Sequence, residues 1–369
     1  MISALKTIPL PLNLQLEIYS FIEPRYKLID WVYENRKKLD IKALCGIPEA
    51  MDYISDLFET TPIPWNFWSA IFRNRSVKAE NLMKKYNKDG FFDITQLYEM
   101  YGNPYYIDII EEKLKNESDE VIWIGLAKNP HQKAIDIIKK DIESGRDFKN
   151  LSLSQLRWNC DCEDADDYIG CICEEYKCWG ALCQNKNPEA ISLIEKNIDR
   201  LEENCWEILC SNTSAISIVE KNLDLLDDVC WKELSYNTAA ISILEKNLDK
   251  LDWTALSTNT AAIPILQENL DKVNWSALST NSAAISILEK NKENIDWFAI
   301  SENKNAIPLI EERLEVYNGR DIDWVILSGN PNAISILERN QDKVNWVMLS
   351  SNSSIFEIDR KRMTNDLSK

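Results

Sequence analysis

Trp253-Thr-Ala-Leu256-Ser-Thr-Asn259-Thr-Ala-Ala262-Ile-Pro-Ile265-Leu266-Gln-Glu-Asn269-Leu-Asp-Lys-Val273-Asn274 runs directly into Trp275-Ser-Ala-Leu278-Ser-Thr-Asn281-Ser-Ala-Ala284, the opening of a second copy of the same unit. Trp231, Trp253, Trp275 and Trp297 stand 22 residues apart, and ten of the 13 tryptophans share this first position. A fixed period of this size marks small supersecondary units that cannot bury an apolar face alone and must stack.

Within one unit, Asp252 stands before Trp253, and Asn274, Asp296, Asp323 and Asn345 recur in that slot. Short Asp and Asn side chains cap helix N-termini, so a first helix of about two turns begins at the Trp and places Trp253 and Leu256 on one face. Asn259 closes it and opens the next helix; Asn330-Pro331 reads as the matching N-cap with proline at the first helical position. Ala262, Ile263, Ile265, Leu266 and Leu270 make the second helix apolar on more than one side. Asn269 ends it in the left-handed conformation that asparagine tolerates.

First positions fall at Trp346, Trp324, Trp297, Trp275, Trp253, Trp231, Trp206 and Trp179, and in weaker form near Leu153, Trp123, Ile94, Trp68 and Ile41. The expected fold is all-α: an α-solenoid of about thirteen short helix-turn-helix repeats of 22–29 residues. Residues 1–40 read as an N-terminal capping segment, 41–178 as divergent repeats with a Cys-rich irregular unit, 179–359 as regular repeats, and 360–369 as a charged tail. The pattern breaks at Ser354-Ile355-Phe356-Glu357-Ile358, as a terminal cap would.

The copy Trp324-Val-Ile-Leu-Ser-Gly-Asn330-Pro-Asn-Ala-Ile-Ser-Ile-Leu-Glu-Arg-Asn340 resembles the repeat proteins found in many copies in giant DNA viruses of protists. The likeness covers roughly residues 179–359, and departs where Thr213, Thr238, Thr260 and Ser282 replace proline. It implies a viral origin, an interaction role, and a place in the host cytoplasm, viral factory or virion. Near the N-terminus, Leu10, Pro11, Leu14 and Ile18 resemble the first helix of an F-box, which implies docking to a cullin ubiquitin ligase; an amphipathic capping helix is the favoured alternative.

The net charge is −18, from 60 Asp and Glu against 42 Lys and Arg. Helical arrays that read nucleic acid need basic faces, so nucleic acid and anionic membranes are not expected partners. One histidine, nine glycines and no phosphate-cradling loop argue against an enzyme; no catalytic residue and no cofactor is expected. His131 follows Asn129-Pro130 and reads as a surface or cap residue.

Cys45, Cys183 and Cys210 occupy position 5, and Cys178, Cys205 and Cys230 the slot before the Trp, so all six read as packed or capping residues. Cys160, Cys162, Cys171 and Cys173 form C-x-C, eight residues, C-x-C. Zinc and a disulfide are open for these four, but the spacing is unusual for zinc and Asp161, Glu163, Asp164, Asp166 and Asp167 disfavour thiolates. Reduced thiols are the favoured reading.

Partner-contacting residues are expected where repeats vary. Position 2 runs Glu207, Lys232, Thr254, Ser276, Phe298, Val325, Val347, and position 6 runs Ser211, Tyr236, Thr258, Thr280, Glu302, Gly329, Ser351. Four apart on one helix, they share a face. Tyr236, Phe298, Glu302, Val325 and Val347 are the candidates, against drift on a solvated surface. Trp65-Asn-Phe67-Trp68 reads mainly as core.

Overall fold

The computed structural model describes residues 24–86, 94–114, 120–144, 178–317 and 319–367. Among them are 24 α-helices and one two-stranded antiparallel sheet of β1 (Tyr26–Leu28) and β2 (Phe356–Ile358). The architecture is all-α in its mass. The chain divides into two compact bodies, one of Asp89–Ile322 and one uniting Met1–Lys88 with Asp323–Lys369.

The first helix of each regular repeat starts where the cap signals put it. Trp253–Thr258 is capped by Asp252, whose side chain accepts from Ala255 N; Trp275–Thr280 is capped by Asn274 in the same way. Leu256 and Leu278 are fully buried below, whereas Trp253 and Trp275 are half-buried. Lys250 lies 4.9 Å over the Trp231 ring and Lys272 4.8 Å over Trp253. These tryptophans are therefore lids on the core, finished by an ammonium group on their outer face.

Two expectations about the second helix are corrected. It begins at Ile263, with Ala262 at the N-cap, and Ile334–Arg339 likewise follows Ala333, so Asn330-Pro331 is no helix start. Asn330 instead closes the preceding helix, and its carboxamide oxygen accepts from Asn332 N in a tight turn. Asn269, Asn291 and Asn340 do end their helices, but with φ of −132°, −133° and −131°, not left-handed. Each side-chain amide donates to the carbonyl four residues back, 2.9 Å for Asn269 to Ile265, which supplies the missing partner without the strain of positive φ.

The physical content of position 7 is a ladder between repeats. Asn281 Nδ2 donates to Ser257 O (2.9 Å) and Asn259 O (3.2 Å) of the repeat before, and its Oδ1 accepts from Ala283 N. Asn303 repeats this on Ser279 and Asn281, and Asn212 on Cys183 and Asn185. These asparagines are almost wholly buried. Position 5 adds a second rung: Ser257 Oγ donates to Trp253 O and accepts from Asn274 N, as Ser279 Oγ does from Asp296 N.

The ladder also corrects the repeat count. Asn185 donates to Ala127 O (2.8 Å) and Asn129 O (3.0 Å), so the Trp179 repeat packs directly on the Trp123 repeat and leaves no place in the stack for one near Leu153. Asn129 in turn donates to Tyr101 and Asn103 carbonyls, which puts position 7 at Asn103 and position 1 at Leu97, three residues after Ile94.

In the body that holds both chain ends, the last repeat is made from two distant stretches. Trp346–Leu349 is its first helix, capped by Asn345, and Asn352 supplies its position 7. Its second helix is Asp30–Glu34, from the other end of the chain. Asn35 Nδ2 donates to Trp31 O at 2.9 Å, as Asn340 does to Ile336 O at 2.8 Å. Lys38 lies 4.8 Å over Trp346, as Lys343 lies 4.6 Å over Trp324. Asp40 N donates to Ser350 Oγ at 2.8 Å, as Asn345 N does to Ser328 Oγ at 2.9 Å. Ile41–Cys45 then follows, capped by Asp40, as the next first helix.

The C-terminal repeat is thus no solvent-facing cap: its surface is covered by residues that the sequence reading assigned to an N-terminal segment. Trp31 packs edge-on against Trp346 at 5.9 Å. The supposed charged tail contains a helix, Arg360–Leu367, with Met363 buried.

Candidate partner-binding surface

Within the Asp89–Ile322 body, position 2 shows why its occupants differ in meaning. Ser276 Oγ donates to Asp296 Oδ2 at 2.6 Å, and Thr254 Oγ1 accepts from Asn274 Nδ2 at 3.4 Å, so small hydroxyls tie each repeat to the cap of the next. Ser276 and two backbone N–H groups, of Ala299 and Phe298, hold the Asp296 carboxyl below the usual carboxylate range. Phe298 has no hydroxyl to offer and stands 60% exposed.

Phe298 follows the capping Asp296, which accepts its backbone N–H at 3.1 Å, and Glu302 lies exposed four residues on, closing the short helix Ala299–Glu302. At position 6, Thr258 and Thr280 turn their hydroxyls back onto Ala255 and Ala277 carbonyls. Tyr236 departs from this and presents its ring to solvent.

In the other body, Val325 and Val347 occupy position 2 and are exposed, Val347 at 59%. Gly329, four residues after Val325, has the Met348 Cε methyl 3.4 Å from where its Cβ would stand. Val325, Gly329, Val347 and Met348 make a side-chain surface without a polar group, while buried Leu327, Ser328, Leu349 and Ser350 hold the helices that carry it.

The structure places Tyr236, Phe298, Glu302, Val325 and Val347 at the surface, each in its own body. Leu10, Pro11, Leu14, Ile18, Cys160, Cys162, Cys171 and Cys173 lie outside the described residues. Trp68 is buried and Phe67 packs edge-on to Phe58, but Trp65 is 58% exposed, which corrects its assignment to the core. It sits between Pro64 and the short helix start, where the chain has not yet turned inward.

The described cysteines are buried. Cys45 is pushed up to about 12 by burial and nearby Asp40, and Cys230 to about 11 by burial and Asp227. Cys183 is raised by a hydrogen bond with Cys205 and by burial, and Cys210 chiefly by burial. Thiol pairs there stand between the two positions that the serine rung joins in later repeats, and such thiols are poor nucleophiles. His131 caps the helix Gln132–Glu143 through Nδ1, which accepts from Lys133 N.

A charged cluster escaped the sequence reading. Asp52, 3% exposed, accepts from Arg25 Nη1 (2.8 Å), Tyr26 N (3.0 Å) and Lys78 Nζ (2.7 Å). Burial works to raise its pKa, and the three donors more than offset that and hold it low. The cluster fastens β1 to the helices Met51–Leu57 and Val77–Tyr86; the partners lie 26 and 27 residues from Asp52, beyond any helical spacing.

Among the described residues no helix is long and apolar enough to cross a membrane. No protein-family profile matches the chain, and neither does any curated protein or solved structure.

Proposed function

We propose that this chain is a non-catalytic protein-binding scaffold, an α-solenoid that presents position 2 and position 6 of its first helices to a protein partner. The carrying observation is the split at position 2: hydroxyl side chains bond to the next repeat's cap, whereas Phe298, Val325 and Val347 make no such bond and expose apolar surface. Exposed aromatic and aliphatic anchors on a rigid frame are what interfaces draw their energy from. The frame is rigid because each repeat is latched by buried asparagine amides. The resemblance to viral repeat proteins supports an interaction role over chemistry.

The test is affinity purification of tagged full-length protein beside Phe298→Asp and Val325→Asp/Val347→Asp variants, with bound proteins identified by mass spectrometry. Surface changes of this kind leave stability within about 0.5 kcal/mol. A protein recovered with the wild type and lost with a folded variant supports the scaffold. Identical recovery across all three sinks it.

A further inference from the structure

The β1–β2 pair treats its two edges unequally. Ile29 N donates to Ile355 O (2.9 Å) and Asp359 N to Arg25 O (2.8 Å), and Lys27 is paired with Glu357 between them. Antiparallel ladders alternate, so the intervening residues turn their peptide groups away from the partner strand. On β1 the outward N–H of Tyr26 is taken by buried Asp52, and the strand packs on Met51–Leu57 and Pro48–Ala50. On β2 the outward N–H of Phe356 returns to Ser353 O, and the outward groups left over are Ile358 N–H, Ile358 C=O and Phe356 C=O.

Those groups face a groove of about 650 Å³ lined by Lys27, Glu357, Ile358, Asp359, Arg360 and Lys361. Glu357 and Ile358 point to opposite faces of the strand, so a groove that both line follows the strand's edge. Ile358 is 49% exposed there. Two of the five charges are already committed to each other, Lys27 to Glu357 at 2.8 Å, and Asp359 caps the following helix by accepting from Arg362 N. Arg360 and Lys361 leave the groove net positive on a chain of net charge −18.

We propose that the outer edge of β2 is a docking site for an extended, acidic peptide segment of a partner protein, which adds as a third strand. A residue opposite Ile358 exchanges two backbone hydrogen bonds with it, and Phe356 C=O accepts a third. The segment's alternate side chains meet exposed Ile358 on one face and Lys361 with Arg360 on the other. This site does not depend on the position 2 surface, and Phe298→Asp leaves it intact.

The experiment uses full-length protein and two fluorescein-labelled synthetic peptides, one alternating Glu with Val and one alternating Lys with Val, read by anisotropy. The Glu-Val probe is expected to saturate and to weaken with added salt, and the Lys-Val probe not to bind. Ile358→Pro removes an outward donor and no rung of the β1–β2 ladder; it is expected to weaken the Glu-Val probe about tenfold or more. Lys361→Glu is expected to weaken it also. Hydrogen exchange at the Ile358 amide slows when the probe is bound. Lack of saturable Glu-Val binding, equal binding of both peptides, or an Ile358 amide indifferent to the probe overturns the proposal. Should Ile358→Pro unfold the sheet, Lys361→Glu and the exchange readout decide alone.

Discussion

A single asparagine carries much of each junction between repeats. Asn281 gives two donors to carbonyls of the preceding repeat and one acceptor to its own turn, all away from water. Asn281→Ala strands those groups, and a buried polar group without a partner costs about 1–3 kcal/mol. Urea denaturation is expected to show a loss of about 2 kcal/mol, against less than about 1 kcal/mol for Lys272→Ala, which only uncovers a half-exposed tryptophan ring. Asp52 gives a pH dependence. Its pKa is lowered in the folded state, so its stabilisation is present above the unfolded value of about 3.9 and is lost as pH falls through the folded value. The stability gap between wild type and Asp52→Asn should be full at neutral pH and shrink below about pH 4.

The elements show what the sequence made legible. Helix starts at Trp253, Trp275, Trp324 and Trp346 were readable because a cap and its helix are neighbours in the chain. The role of position 7 was not, because Asn259 and Asn281 satisfy each other's backbone 22 residues apart, and local reading gave them to helix ends. The composite repeat was hidden for a further reason: Asp30-Trp31-Val32 lacks the Ile-x-Ile-Leu spelling, and its partner helix lies at the opposite end. The surface candidates came from variation between aligned repeats, a signal that survives without coordinates, whereas Asp52, Arg25 and Lys78 follow no period. At this scale Trp31→Ala is expected to cost about 3 kcal/mol. Ile336→Ala, at the matching place in the repeat before, should cost a similar amount, and both are checked by denaturation.

For the whole chain, the bond between Asp40 and Ser350 spans 310 residues, where the matching bond in other repeats spans 17. Closing the longer gap from the unfolded chain costs roughly 2–3 kcal/mol more. The junction carries bonds that other repeats lack: the β1–β2 ladder, Arg362 on Asp56 at 2.6 Å, and the Asp52 cluster. Native-state hydrogen exchange should find the Ile29 and Asp359 amides opening together, and Trp31→Ala should speed both. The net charge of −18 acts on every part at once. Self-repulsion of this sign is screened by salt, so the midpoint of thermal unfolding at pH 7 is expected to rise by a few degrees toward about 0.5 M sodium chloride.

The split last repeat also sets an order of events during synthesis. Asp30–Glu34 leaves the ribosome among the first ordered residues, yet the helix it belongs beside, Trp346–Leu349, is translated more than 300 residues later. At about 5–20 residues per second the wait is roughly 15–60 s. Through that interval Trp31, Val32 and Leu28 have no native cover, and a nascent chain must keep them from other strands and other ribosomes' products. The newborn protein is therefore expected to need a chaperone at its front end until its last codons are read, and ribosome-bound chains stalled before Trp346 should be the ones that chaperones hold.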